Sequence, residues 1–276
     1  MEITADLFKD VKKLPVLPLI LLELMDSFSD EDTRVEDIAA KVAKDQSISA
    51  KVIRMANSAV YRRGKEVESI EEAVIRLGFN QVRSIVVAAT LSNVFPDTPS
   101  FDKDKFWEET FITASIAKHL AKHTSINSDT AFTCAMMHNI GELLLQTIKP
   151  AECGLIKIAI DAGQPRLYAE REVLGFDNTQ VGAALAKHWS FSSVFVDAIE
   201  QQLDPLEYEN TSQAAVLIRL SVFTRFAWSL NLPPEIIIKR FPEPLTQAIN
   251  LKTEGLLDTF TKMIEEGQTL ARDIKS

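Results

Sequence analysis

The chain has 276 residues, 46% of them hydrophobic, which is enough for a large core and close to the length at which one core divides into two. Its 30 Lys and Arg against 39 Asp and Glu give a net charge of −9, so the overall field opposes phosphate backbones and disfavours nucleic acid as a general partner. Two cysteines, Cys134 and Cys153, are too few for a disulfide scaffold.

The chain opens on MEITADLFKD, which has no basic region followed by an apolar stretch. No segment approaches the ~18 apolar residues needed to span a bilayer. These features predict a soluble cytoplasmic protein with reduced core thiols, no cleaved signal and no membrane insertion. Helical periodicity then recurs along the chain, and strand alternation is nearly absent. Thr33 and Glu36 have the spacing of a capping box, followed by Ile38, Ala39 and Val42 on one helical side. Asp45 is placed to cap the next helix, whose Ile48, Val52, Met55 and Ala56 form one stripe. Ser69 and Glu72 repeat the capping box before Ile70, Ala73, Val74 and Leu77. Gly78 is expected to end that helix and Asn80 to cap the following one, QVRSIVVAATLSNVF.

The run FPDTPSFD, with its two prolines, marks a boundary near residues 96 to 100. It divides an N-terminal helical subdomain, 1–96, from a larger one, 100–276, that ends in a C-terminal helical extension. Beyond it, helices are expected at 106–123, 130–148, 152–162, 179–189 and 193–203. The polar loop DPLEYENT follows, then two helical stretches separated by NLPPE. The expected fold is an all-α multi-helix bundle, one subdomain packed on the other.

Several polar residues stand out within these patterns. His138 falls on a stripe with Ala131, Cys134 and Ala135, and reads as a neutral core histidine rather than a metal ligand, since metal sites need convergent ligands. His119 and His123 have the i, i+4 spacing that can bring two imidazoles to one metal, but the intervening LAK lacks an acidic residue and neighbouring lysines suggest ordinary surface histidines. Arg54, Arg62, Arg63 and Lys65 form the densest basic cluster. They read either as an anion-binding patch or as a solvated face paired with Glu66, Glu68 and Glu71. Asn57 and Gly78 read as helix-end residues, and Trp107 and Trp189 as core anchors.

The ordered set LPVLPLILLELMD, VEDIAAKVAKDQSISAKVIRMANSAVY, SIEEAVIRLGFNQVRSIVVA, FWEETFITASIAKHLA, AMMHNIGELLL, EREVLGFDNTQVGAALAKHWSF and AIEQQLDP resembles the HD-related output domain, HDOD, of bacterial signalling proteins. The resemblance covers roughly residues 10–205. It implies an all-helical fold descended from the HD metal-dependent phosphohydrolases, whose His-Asp pair and further histidines hold divalent metals. In this sequence the pair becomes His138 and Asn139, so the carboxylate is missing. Glu109 stands at the first histidine position, Asn178 at a later one, and Gln201 and Gln202 at the last.

The resemblance therefore implies a degenerate pocket with no metal, no cofactor and no catalytic residue, either structural or holding a small molecule. It implies a non-catalytic output or adaptor protein that binds a protein partner. Two alternatives stay open: a metal-dependent phosphohydrolase using His138, Glu109 and carboxylates such as Glu142 or Glu200, and a nucleotide or nucleic-acid binding regulator using the Arg62 region.

Overall fold

The computed structural model describes residues 34–58, 61–62, 64–95, 97–98 and 101–275. Among them there is no strand, in keeping with the expected all-α class. The first helices are α1 (Val35–Val42), α2 (Gln46–Ala56), α3 (Ile70–Leu77) and α4 (Phe79–Val94). The predicted stripe of α2 is buried, with Val52 and Ala56 wholly shut from water. Asp45 caps it by accepting the Ile48 amide at 3.0 Å, and Ser69 caps α3 by accepting the Glu72 amide at 3.1 Å. Asn57 closes α2 and pairs with the Val67 backbone through both ends of its amide, each bond 2.8 Å long.

Two predicted caps differ. Thr33 lies outside the described residues, and α1 starts after Arg34 with no side-chain cap. Gly78, at φ 79°, both ends α3 and precedes the first residue of α4, so Asn80 lies inside the helix instead of capping it. Residues 96, 99 and 100 of the expected boundary lie outside the described residues.

The larger part contains α5 (Lys103–Ala121), α6 (Ser128–Met137), α7 (Ile140–Ile148), α8 (Pro150–Asp161), α9 (Arg166–Leu174), α10 (Asn178–His188) and α11 (Ser193–Glu200). A 3-10 turn at Pro205–Glu207 leads to α12 (Gln213–Ser229), α13 (Pro234–Lys239), α14 (Glu243–Ala248) and α15 (Leu256–Lys275). The long helix expected over 130–148 is broken. Asn139, at φ −108° and ψ 17°, leaves helical geometry and separates α6 from α7. The sequence pattern gives no sign of α9, because RLYAEREVL has almost no amphipathic stripe; only Ala169 and Glu170 are buried, and Gly175 at φ 82° ends it.

α5 is the central element, packed against α15, α6 and α12. Its contact with α15 is backbone-close, since a Cβ on Gly267 would lie 2.5 Å from the Ile112 Cα. α15 also touches α2 and α4, linking the N-terminal helices to the larger part. A second close crossing joins α7 to α10 at Gly141 and Gly182. A Cβ on Gly141 would run into the Asn178 carbonyl and lie 2.6 Å from the Gly182 nitrogen. This crossing fixes where the His138–Asn139 junction and the start of α10 face each other.

Candidate functional site

The break between α6 and α7 puts His138 on the inside. Its residue surface is 3% exposed, and its Nδ1 lies 2.6 Å from the Ala135 carbonyl, an acceptor only, so Nδ1 carries the proton. Burial, with the charge of Arg225 added, lowers its pKa to about 4, against the opposing effect of the Ala135 bond. The ring is neutral at ordinary pH. Gln202, also buried, donates Nε2 to the His138 carbonyl at 2.7 Å and to the Ile199 carbonyl at 3.0 Å, tying α11 to the junction. Gln201 points elsewhere. It accepts the Ser212 amide at 2.7 Å and donates to the Asn210 carbonyl at 3.3 Å, fastening the loop before α12.

Asn139 and Glu109 instead line an open cleft of about 840 Å³ formed by α5, α7, α8, α9 and α12. Its polar groups include Glu142, Glu170, Arg166 and Arg225, and Phe101, Phe106 and Phe226 contribute aromatic surface. Arg166 Nη1 is 2.7 Å from Glu142 Oε1 and 3.5 Å from Glu170 Oε1. Arg225 Nη1 is 3.0 Å from Glu109 Oε2, and Lys105 is 4.0 Å from the other Glu109 oxygen.

Asn178 joins the two regions. Its backbone amide donates to Glu170 Oε2 at 2.8 Å, and its side chain donates to Glu170 Oε1 at 3.3 Å. Glu170 is buried, and desolvation pushes its pKa up to about 7 in spite of Arg166 and the Asn178 bond. Cys153 also lines the cleft, and burial with the nearby carboxylates raises its thiol to about 12, which keeps it protonated and unreactive.

The six sequence-derived positions are thus divided. Glu109 and Asn139 reach the cleft, Asn178 braces Glu170, and His138, Gln201 and Gln202 belong to buried hydrogen bonds. Sequence reasoning missed Arg166, Glu170 and Arg225. The available signal for Arg225 was a cation inside the apolar run of α12.

Of the other candidates, His119 is buried instead of lying on the surface, and its Nε2 meets Glu266 Oε2 at 2.8 Å, joining α5 to α15. Of the neighbouring lysines that suggested solvent, Lys122 is exposed, while Lys118 is half-buried and donates to Gln81 at 3.2 Å. Arg54, Arg62 and Lys65 are exposed, and Arg63 lies outside the described residues.

The metal implied by HD chemistry does not fit these residues. Among the described residues no three His, Cys, Asp or Glu side chains gather into a metal-holding group. The carboxylates nearest the junction are held by arginines, and the amides of Gln201, Gln202 and Asn178 are engaged in protein bonds.

An all-helical bundle with a broken junction at His138–Asn139 and a cleft beside it defines an HD-like protein. The chain belongs to the HDOD family, whose domain model matches residues 14–205. Among solved structures, a candidate phosphohydrolase from Shewanella amazonensis is 33% identical, with 98% of each chain covered and a TM-score of 0.83. An HDOD domain protein of unknown function from Geobacter sulfurreducens shares the fold at 20% identity, with a TM-score of 0.83 over 98% of this chain and 97% of that one. A candidate signal transduction protein from Marinobacter aquaeolei does so at 21% identity and TM-score 0.82, covering 98% of this chain and 61% of that one. The curated relative YuxH of Bacillus subtilis, an uncharacterized protein, is 24% identical over 123 residues, 45% of this chain and 30% of that protein's length. Among the described residues no helix is long and apolar enough to cross a membrane.

Proposed function

We propose that this HDOD protein is a non-catalytic output or adaptor module of bacterial signalling that acts by binding a partner protein. The observation that carries this reading is the pairing of the cleft carboxylates with arginines: Glu109 with Arg225, and Glu142 and Glu170 with Arg166. A hydrolase of HD type needs carboxylates and imidazoles free to ligate. Here the carboxylates face arginines instead of standing free, and the one imidazole at the junction is neutral and bonded to the backbone.

The test is an assay of the full chain on phosphomonoesters and cyclic dinucleotides with added manganese or magnesium. No turnover is expected from the wild type or from Asn139→Asp, because one restored carboxylate leaves Asn178, Gln201 and Gln202 unable to supply imidazoles. A pull-down from the source cell's lysate, repeated with pure components, should yield a protein that binds directly.

The name of the 33% identical Shewanella protein favours a second reading, a metal-dependent phosphohydrolase. Turnover by the wild type that His138→Ala abolishes while still folded would replace the adaptor with that enzyme. The third reading, a nucleotide or nucleic-acid regulator using Arg54, Arg62 and Lys65, requires binding that weakens steeply with salt.

A further inference from the structure

The cleft contains one cation that its surroundings leave under-used. Arg225 projects from α12 with 18% of its side chain exposed, and its Nη1 meets Glu109 at 3.0 Å. Its Nε, shut from water, has no acceptor at all. Glu109 is 41% exposed and also faces Lys105, so it is a surface carboxylate leaning on the arginine instead of a buried partner locked to it. Arg166, by contrast, already faces two carboxylates. A guanidinium presents five N–H donors in a plane, and an arginine that meets a single carboxylate oxygen keeps part of that fork open.

Apolar side chains share the cleft lining with Arg225, namely Phe101, Phe106, Leu145, Ile156, Ile160 and Phe226. Phe226 follows Arg225 in the chain and stands 57% exposed at the cleft. A volume of about 840 Å³ with such walls and one incompletely used cation suits a ligand with an apolar body and a single anionic head.

The charge of the cleft decides which anion. Its lining carries four cations, Lys105, Lys157, Arg166 and Arg225, against five carboxylates, Asp102, Glu109, Glu142, Asp161 and Glu170. With one more carboxylate than cation on the lining, a dianion such as a phosphate monoester would meet twice the net repulsion of a monoanion. We infer that the cleft is a binding site for a small organic carboxylate with an apolar or aromatic body, its head group held by Arg225. The cleft is built from five helices, so a bound ligand would bridge elements remote in the chain. This goes beyond the adaptor reading and does not depend on it.

Calorimetric titration of the full chain with sodium acetate, benzoate, 3-phenylpropanoate and decanoate tests the inference, with 3-phenylpropanamide and phenyl phosphate as matched controls. At least one of the larger carboxylates should bind with a Kd below about 5 mM. The amide and the phosphate should each bind at least tenfold more weakly than the matched carboxylate. Arg225→Gln should weaken carboxylate binding at least tenfold. If that variant fails to fold, Phe226→Ala at the exposed rim should weaken the larger carboxylates several-fold and leave acetate unchanged. The inference is overturned if no carboxylate reaches that affinity, if phenyl phosphate binds as well as the carboxylate, or if the folded variants bind like the wild type. Hydrolysis of phenyl phosphate, followed in the same samples with manganese, would count against the adaptor reading alone.

Discussion

The molecule contains two polar regions on either side of the α7 start, and they handle their polar groups in opposite ways. In the buried one, the side chains of His138, Gln202 and Gln201 are each bonded to backbone groups, and a neutral ring sits where a metal ligand would be expected. In the open one, Glu109, Glu142, Glu170, Arg166 and Arg225 are gathered on a cleft wall in ion pairs. The family resemblance groups residues of both into one pocket. The structure separates them because helix junctions place consecutive residues, His138 and Asn139, on different sides. The histidine is closed in by protein hydrogen bonds, and the open cleft beside it is lined by the arginines.

The largest effect should come from breaking what holds the two regions together. Gly141→Ala places a Cβ against the Asn178 carbonyl and the Gly182 nitrogen, both backbone, which cannot turn aside. α7 and α10 would have to part, loosening Glu170 from Asn178 and Gln202 from His138 together. A loss of about 3 kcal/mol or more is expected, at the upper end for overpacking. Thermal unfolding measures it, and an unchanged melting temperature would show that the crossing is looser than this geometry implies.

The next test separates the regions by pH. Glu170 has its folded pKa raised by burial to about 7 from an ordinary 4.5, so between these values the folded state binds more protons than the unfolded chain. Stability contributed by this group must then fall as pH rises from 4.5 to 7, by about 3 kcal/mol, because each tenfold drop in proton activity across that window costs roughly 1.4 kcal/mol. Glu170→Gln removes that slope. Chemical denaturation of both proteins from pH 4.5 to 8 should show wild type losing stability relative to the variant as pH rises. The reverse slope would mean the Arg166 pairing outweighs desolvation. His138, lowered to about 4 from an ordinary 6.5, adds a slope of the opposite sign between these values, but wild type and variant share it, so their difference reports Glu170.

Much of the buried region was legible because it is local. The spacing of Ile48, Val52, Met55 and Ala56 gave the inward face of α2, and Asp45 and Ser69 gave caps within one turn. Inward placement of His138 followed from the same 3.6-residue period. The cleft was not legible, because its pairs join residues remote in the chain, Glu109 with Arg225 and Glu142 with Arg166, and periodicity carries no information about which helix faces which. The burial of His119 was hidden for the same reason: its partner Glu266 arrives on α15.

Gln202 then tests the buried region alone. Gln202→Leu keeps the volume roughly constant and removes the Nε2 donor to the His138 and Ile199 carbonyls. Leaving those carbonyls without it should cost about 1–3 kcal/mol, with cleft ligands unaffected. Equal stability would mean that the buried network is less committed than its geometry suggests.

The smallest effect belongs to the open region's rim. Lys105 stands 4.0 Å from Glu109 with 70% of its side chain in solvent, so its attraction is weakened by water and screened by salt. Lys105→Ala should change stability by less than about 0.5 kcal/mol. It also leaves the lining with three cations against the same five carboxylates, so any carboxylate ligand should bind somewhat more weakly, and the difference should shrink as salt is added. A stability loss as large as that of Gln202→Leu would mean that the rim charges brace the fold. The contrast between a self-satisfied interior and an open charged wall would then no longer hold.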